Sequence, residues 1–238
     1  MPNALITGAS AGLGRALALA LAARRWGLVV DGRRPDALSR VSEELQAAGG
    51  TVEAVAGDVA DDSHRRVLVA AAQRLDGLDL VVSNASTLGP TPLRPVIELS
   101  SSQLSAIFGV NVVGPMALIA AAVPLLTRSA VVMAVSSDAA VEHYPQWGGY
   151  GASKAASDHL IATLAVEHPE LRWYAIDPGD MNTDMQRAAS PGEDVSDRRL
   201  PEAVVPALLD LFDRRPPSGR YRAGEGVAIP DQAQEDAR

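Results

Sequence analysis

Tyr150 and Lys154 stand four residues apart in Tyr150-Gly151-Ala152-Ser153-Lys154, and Ser136-Ser137 closes an apolar run just upstream. On a helix, positions i and i+4 share a face, so the phenol and the ammonium can meet at one site. An ammonium beside a phenol favours the phenolate and lowers its pKa toward working pH. A tyrosine tuned in this way passes a proton to or from a carbonyl or alcohol oxygen. Ser137 could hydrogen-bond the same oxygen. The same spacing also occurs as a solvated pair over an apolar patch, so its meaning depends on the rest of the chain.

Near the start, Ala4-Leu5-Ile6 leads into Thr7-Gly8-Ala9-Ser10-Ala11-Gly12-Leu13-Gly14, and an alanine- and leucine-rich run follows. This reads as strand, glycine turn, helix. Glycines let the backbone turn tightly and approach a phosphate, and a helix N-terminus favours an anion. The spacing Gly-x-x-x-Gly-x-Gly differs from the Gly-x-Gly-x-x-Gly dinucleotide fingerprint, and no Gly-Lys-Ser/Thr follows as in a Walker loop.

Together these motifs resemble the short-chain dehydrogenase/reductase family. Thr7-Gly8-x-x-x-Gly12-x-Gly14 is similar to its cofactor loop, and Tyr150-x-x-x-Lys154 to its catalytic pair. Ser137 precedes Tyr150 by thirteen positions, the family's usual offset for its serine. Asn111 matches the tetrad asparagine, and Asp58-Val59 the adenine-contacting pair. Asn84-Ala85-Ser86 matches an Asn-Ala-Gly motif with Ser in place of Gly, and Pro178-Gly179 with Met181 and Thr183 the nicotinamide-side loop. The stretch 84–90 is similar to sepiapterin-reductase-like members. These motifs run in family order from residue 7 to residue 183.

The resemblance implies hydride transfer between a nicotinamide dinucleotide and a small carbonyl or alcohol substrate. Tyr150 would act as the acid/base and Lys154 would tune it and hold the nicotinamide ribose. Ser137 would polarise the carbonyl and Asn111 would hold a relay water. Gly8, Ser10, Gly12, Leu13 and Gly14 would cradle the cofactor. Asn84 also reads as a strand-end cap, Asn111 as a bond to helix backbone at a kink, and Thr183 as a cap before Met185. A homodimer or homotetramer is implied, packed through the helices containing Asn111 and Tyr150. The face Ala155, Ala156, His159, Leu160 and Thr163 suits that packing and suits burial within one subunit equally. A dinucleotide-sensing regulator without turnover is the rival class, and the intact Ser137, Tyr150 and Lys154 argue against it.

The cofactor's identity turns on Val30-Asp31-Gly32-Arg33-Arg34. An acid at the end of the second strand would hold the ribose 2′-hydroxyl of NAD, and Asp31 is a candidate. The resemblance instead puts Gly32 at the acid position with Arg33 next, and an arginine's planar fork suits a 2′-phosphate. Arg33, Arg34 and Ser10 therefore favour NADP(H), with NAD(H) the alternative.

The elements that position these groups alternate. Strands are expected at 4–7, 27–31, 51–56, 78–83, 130–136, 172–177 and 220–223. Helices are expected at 12–25, 35–48, 62–75, 100–126 (kinked near Gly114-Pro115), 150–167 and 201–214. Near-continuous apolar strands between helices imply a parallel sheet covered on both faces. The fold expected is one α/β domain over 1–224, a doubly wound Rossmann fold of about seven strands, with 225–238 a polar tail. Every polar motif follows a strand, so all should gather at one edge of the sheet.

Composition narrows the partners. The chain has 238 residues, 47% hydrophobic and only 4% aromatic, so Ala, Leu and Val must fill the core. A net charge of −8 without a basic stripe speaks against nucleic acid. The absence of cysteine excludes thiolate chemistry and fits a reducing cytoplasm. The apolar run 110–126 is too short and interrupted for a membrane span. No histidine pair has ligand spacing, so no metal is expected. His143, Tyr144 and Trp147 should border the substrate, as pocket wall or loop clamp, and 184–200 should cover it as a mobile lid or loop.

Overall fold

A computed structural model describes residues 1–224 and 228–230. In chain order it contains β1 (Asn3–Ile6), α1 (Gly12–Ala23), β2 (Gly27–Gly32), α2 (Pro35–Ala47), β3 (Thr51–Ala56), α3 (Asp62–Ala72) and β4 (Leu78–Ser83). There follow α4 (Ser101–Phe108), α5 (Gly114–Ala122), β5 (Leu126–Val135), α6 (Gly148–Glu167) and β6 (Arg172–Asp177). The last elements are α7 (Asp184–Ala189), α8 (Pro201–Arg214), β7 (Gly219–Ala223) and β8 (Ala228–Pro230). Strand order is β3-β2-β1-β4-β5-β6-β7-β8, parallel except for β8. This is the expected doubly wound sheet, with one strand more than the sequence indicates. The extra strand lies inside the stretch read as a tail, where buried Ala228 pairs with Ala223. The rest of that tail, 225–227 and 231–238, lies outside the described residues.

Strand alternation divides the core. Ile6, Val30, Val82 and Met133 face α1, α2 and α8, whereas Leu5, Val29, Val81 and Val132 face α3, α5 and α6. Both faces are buried, which is why these strands read as unbroken apolar runs. Helix starts follow the expected chemistry. Asp61 accepts from Ser63 N at 2.9 Å, Ser100 and Gln103 form a capping box, and Pro35 and Pro201 open α2 and α8.

The expected single helix 100–126 is two helices joined by a π-helical turn, Gly109–Val113. Pro115 lacks an N–H and its ring would crowd the carbonyl four residues back, so regular helix stops before it. By length and composition alone the helical run Ser101–Leu125 could cross a membrane, because α4 extends the apolar stretch. Here it packs on α3 and α6, with Ile107, Leu118 and Ile119 buried, as a core helix does.

Candidate active site

The strand order reverses between β1 and β4, and a cleft of about 990 Å³ opens there beyond the carboxyl ends of the strands. At Gly8 the backbone takes φ +67°, and a Cβ would lie 2.8 Å from Ala85 Cα. Only glycine fits both conditions. Asn84 donates from Nδ2 to the carbonyls of Thr7 and Gly8, and Thr7 Oγ1 accepts the N–H groups of Asn84 and Ala85. Asn84 is thus a clasp between β4 and the glycine turn. Gly8, Ser10, Gly12 and Leu13 line the cleft, and no side chain caps the α1 N-terminus, so its first N–H groups remain for an anion. Gly14 departs from expectation. It is buried against Asn84 and Gly8 and does not line the cleft, because its work is the close approach of α1 to β4.

Asp31 borders the cleft at the end of β2 and is buried. Its Oδ1 accepts the Gly8 N–H at 2.6 Å and its Oδ2 meets His64 Nε2 at 3.1 Å, both residues being buried. Arg33 and Arg34 are exposed and line the cleft with Ser10, Asp58 and Val59. A Cβ on Gly32 would lie 2.7 Å from the Ser10 hydroxyl, so glycine here lets the turn close onto the end of β2.

At the other end, α6 starts at Gly148 and brings Tyr150 and Lys154 onto one face, with Lys154 Nζ 5.6 Å from the Tyr150 ring centroid. Lys154 Nζ donates to Val135 O at 2.7 Å, which ties it to the end of β5. Ser137 follows that strand and lines the cleft beside Tyr150. The residues meet as expected, but the phenol is not tuned downward. Burial pushes Tyr150 well above its ordinary range, with Asp177 and Asp138 adding to the rise against hydrogen bonds from Ser137 and Ser86. Burial also brings Lys154 down to about 8, opposed by Asp158.

Asn111 sits in the π-helical turn with its side chain fully engaged. Oδ1 accepts from Ser86 Oγ and Thr87 N, and Nδ2 donates to Thr87 O and to Ser153 Oγ. It therefore braces the 84–87 loop against α6, and none of these bonds goes to the backbone of its own helix. Ser86, the departure from the family motif, adds a hydroxyl between Asn111 and the Tyr150 phenol.

Pro178, Gly179, Met181 and Thr183 line the cleft, and Thr183 also caps α7 by accepting from Gln186 N at 3.2 Å. Trp147 lines it too, edge-on to Tyr150 at 5.7 Å. His143 and Tyr144 instead line a neighbouring cleft of about 280 Å³, since Tyr144 turns to donate to Asp138. The segment 184–200 contains the helix α7 and is anchored at its far end. Asn182 N donates to Arg199 O, and Arg199 Nη2 donates to Pro178 O.

Sequence reasoning missed a buried network behind these groups. Arg220 on β7 donates to Asp158 at 3.0 Å and to the Ser137 carbonyl at 2.8 Å, and lies 3.7 Å from Asp177. Asp158 accepts from Ser136 Oγ, and Asp177 accepts from Gly179 N. Asp158 could have been found, because it stands one helical turn beyond Lys154. Asp138 was also missed, although it follows Ser137 directly. No group of His, Asp or Glu among the described residues is arranged to hold a metal.

The short chain dehydrogenase family model matches residues 2–194, and the chain belongs to that family. It is 32% identical over 201 residues to sepiapterin reductase of Bos taurus, covering 78% of this chain and 74% of that one. It is 31% identical over 220 residues to a Saccharomyces cerevisiae benzil reductase ((S)-benzoin forming), covering 87% and 80%. Among solved structures, a short chain dehydrogenase from Escherichia coli CFT073 complexed with NADPH superposes with a TM-score of 0.85 at 28% identity, covering 93% and 96%. The chain is therefore an oxidoreductase of a family whose relatives bind nicotinamide dinucleotides.

Proposed function

We propose that this protein is an NADP(H)-dependent oxidoreductase that reduces a ketone or aldehyde to an alcohol, or runs the reverse. One observation carries the reading. Ser137, Tyr150 and Lys154 stand at one end of the same cleft whose other end is the glycine turn and the uncapped start of α1. The NADPH-complexed neighbour and the similarity to sepiapterin reductase and benzil reductase support it.

NADPH, when bound, supplies the hydride. Gly8, Ser10, Gly12 and Leu13 and the α1 N–H groups receive its pyrophosphate, and Arg33, Arg34 and Ser10 its 2′-phosphate. Asp58 and Val59 border the adenine. Asn84, Ala85, Ser86, Pro178, Gly179, Met181 and Thr183 border the nicotinamide half. Ser137 holds the carbonyl oxygen and Tyr150 protonates it as charge develops. Lys154 keeps a positive charge near the phenol and reaches the ribose, and Asn111 fixes the loop and helix around it. In the oxidising direction Tyr150 takes the proton back.

The working assembly is proposed as a homodimer or homotetramer in a reducing cytoplasm. His159, Leu160 and Thr163 stay exposed on α6, with Val113 and Val166 exposed nearby on the outer surface.

The test is calorimetry with NADPH and NADH, then NADPH oxidation against ketones, aldehydes and diketones. Tyr150→Phe should lower turnover by about 10²–10⁴-fold while leaving NADPH binding intact, the range for a lost general acid. Near-normal turnover of that variant removes Tyr150 from the chemistry. Tight NADPH binding without turnover on any carbonyl favours a sensing role.

A further inference from the structure

Of the cleft carboxylates that the proposed chemistry does not use, one stands beside the reacting serine. Asp138 lines the cleft immediately after Ser137. Its Oδ1 accepts from Ser137 Oγ at 2.9 Å and from Ala139 N at 2.8 Å, and its Oδ2 accepts from the Tyr144 hydroxyl at 2.9 Å. All three partners are neutral. Nearby, Asp180 is paired with Arg198 at 3.3 Å and Asp184 with Arg187 at 2.7 Å. Deeper in, Lys154 and Arg220 face Asp158 and Asp177. Asp138 is therefore the cleft carboxylate adjoining Ser137, and it has no ion pair among the described residues. Its field already reaches the reacting oxygens, because it is one of the charges that disfavours the Tyr150 phenolate.

We propose that Asp138 is a specificity-determining residue that excludes substrates bearing an anionic group beside the reacting carbonyl, and so restricts the site to neutral or cationic carbonyl compounds. This rests on the reading of Ser137 and Tyr150 as the pair that receives the carbonyl oxygen. An oxygen held by Ser137 puts the substituents of its carbon within a few bonds of Asp138. Two like charges about 6 Å apart, at the effective dielectric near a protein surface, repel enough to weaken productive binding by about 100-fold. Asp138 cannot turn away from such a group easily. When Ser137 turns its hydroxyl to the carbonyl oxygen, the Ala139 N–H still holds Oδ1 and the Tyr144 hydroxyl holds Oδ2, and an α-keto acid offers Asp138 no proton in exchange.

A matched pair of substrates isolates the charge: methyl benzoylformate, which is neutral, and benzoylformate, which differs by one carboxylate. With NADPH, the wild-type enzyme should favour the ester by about 100-fold in kcat/KM. Asp138→Asn should narrow that ratio at least roughly tenfold, chiefly by improving the acid, since the charge goes while the acceptor oxygen remains. Asp138→Ser serves the same purpose if the asparagine variant does not fold. Asp180→Asn should leave the ratio within about twofold, because that exposed carboxylate is paired and screened. Equal use of acid and ester by the wild type, or a ratio unmoved in both Asp138 variants, overturns the proposal while the reductase reading stands. If the wild type reduces neither these compounds nor any other carbonyl, the reductase reading itself fails, and this proposal with it.

Discussion

Asp31 holds Gly8: the carboxylate accepts the glycine's N–H at 2.6 Å, and its second oxygen meets His64 at 3.1 Å. An acid that selects NAD must offer an oxygen to a ribose hydroxyl. Although Asp31 borders the cleft, both its oxygens are engaged by Gly8 and His64 and the residue is 2% exposed. Hydrogen bonds to charged groups are worth about 1.5–3 kcal/mol. Asp31→Ala should therefore lower the unfolding free energy by about 3 kcal/mol, since it strands a buried imidazole and a backbone N–H. It should weaken NADPH and NADH binding alike by loosening the turn. Urea unfolding and calorimetry check both statements. Unchanged stability with a selective loss of NADH would instead make Asp31 a ribose-binding acid.

With both Asp31 oxygens engaged, the exposed groups at the end of β2 are Arg33 and Arg34. Neither side chain makes a hydrogen bond or ion pair to another described residue, so both guanidinium groups remain for an anion, and Gly32 lets the Ser10 side chain approach. A charge-assisted bond to a 2′-phosphate of about 1.5–3 kcal/mol corresponds to roughly 10- to 100-fold in binding. Arg33→Ala should cut kcat/KM for NADPH by that factor and leave NADH nearly unchanged. Steady-state kinetics with the two cofactors give the answer. An equal loss on both would assign Arg33 to the fold of the turn, and a wild-type preference for NADH would overturn the assignment of the cofactor.

Much of this arrangement was legible because the motifs are local. The glycine turn, Tyr150 with Lys154, and Ser137 each sit at a strand end or on one helix face, where spacing alone implies geometry. The parallel sheet was legible from apolar strands that alternate with helices. What was not legible comes from distant partners. Strand alternation puts Asp31 and Gly32 on opposite faces, but only the fold brings His64 to Asp31 across a separation of 33 residues. Arg220 reaches Ser137 across 83 residues and Asp158 across 62. The tuning of Tyr150 was misjudged for a related reason. Residue spacing reports the neighbouring ammonium, whereas the burial that raises the phenol is a property of the whole packed site.

Lys154 is the chain's single lysine, so it can be titrated directly. Burial lowers it to about 8, and the nearby Asp158 charge works in the opposite sense. In protein prepared without a lysine-containing tag, labelled lysine gives one NMR signal, and its midpoint in the cofactor-free enzyme should fall near 8. Asp158→Asn removes the charge that raises it, so the midpoint should move lower still. The sign for stability follows from linkage. The folded pKa lies below the unfolded value of about 10.4, so between these limits the unfolded chain binds more protons. The cost of burying the ammonium is therefore complete below pH of about 8 and is relieved as pH rises toward about 10.4. Asp158→Asn should also destabilise the protein by about 3 kcal/mol, because it breaks a buried pair with Arg220 at 3.0 Å. Removing both partners, as in D158N/R220M, should recover part of that loss. A lysine midpoint near its unperturbed value would show that burial does not depress the ammonium, and one that rises in D158N would show that Asp158 does not support the Lys154 charge.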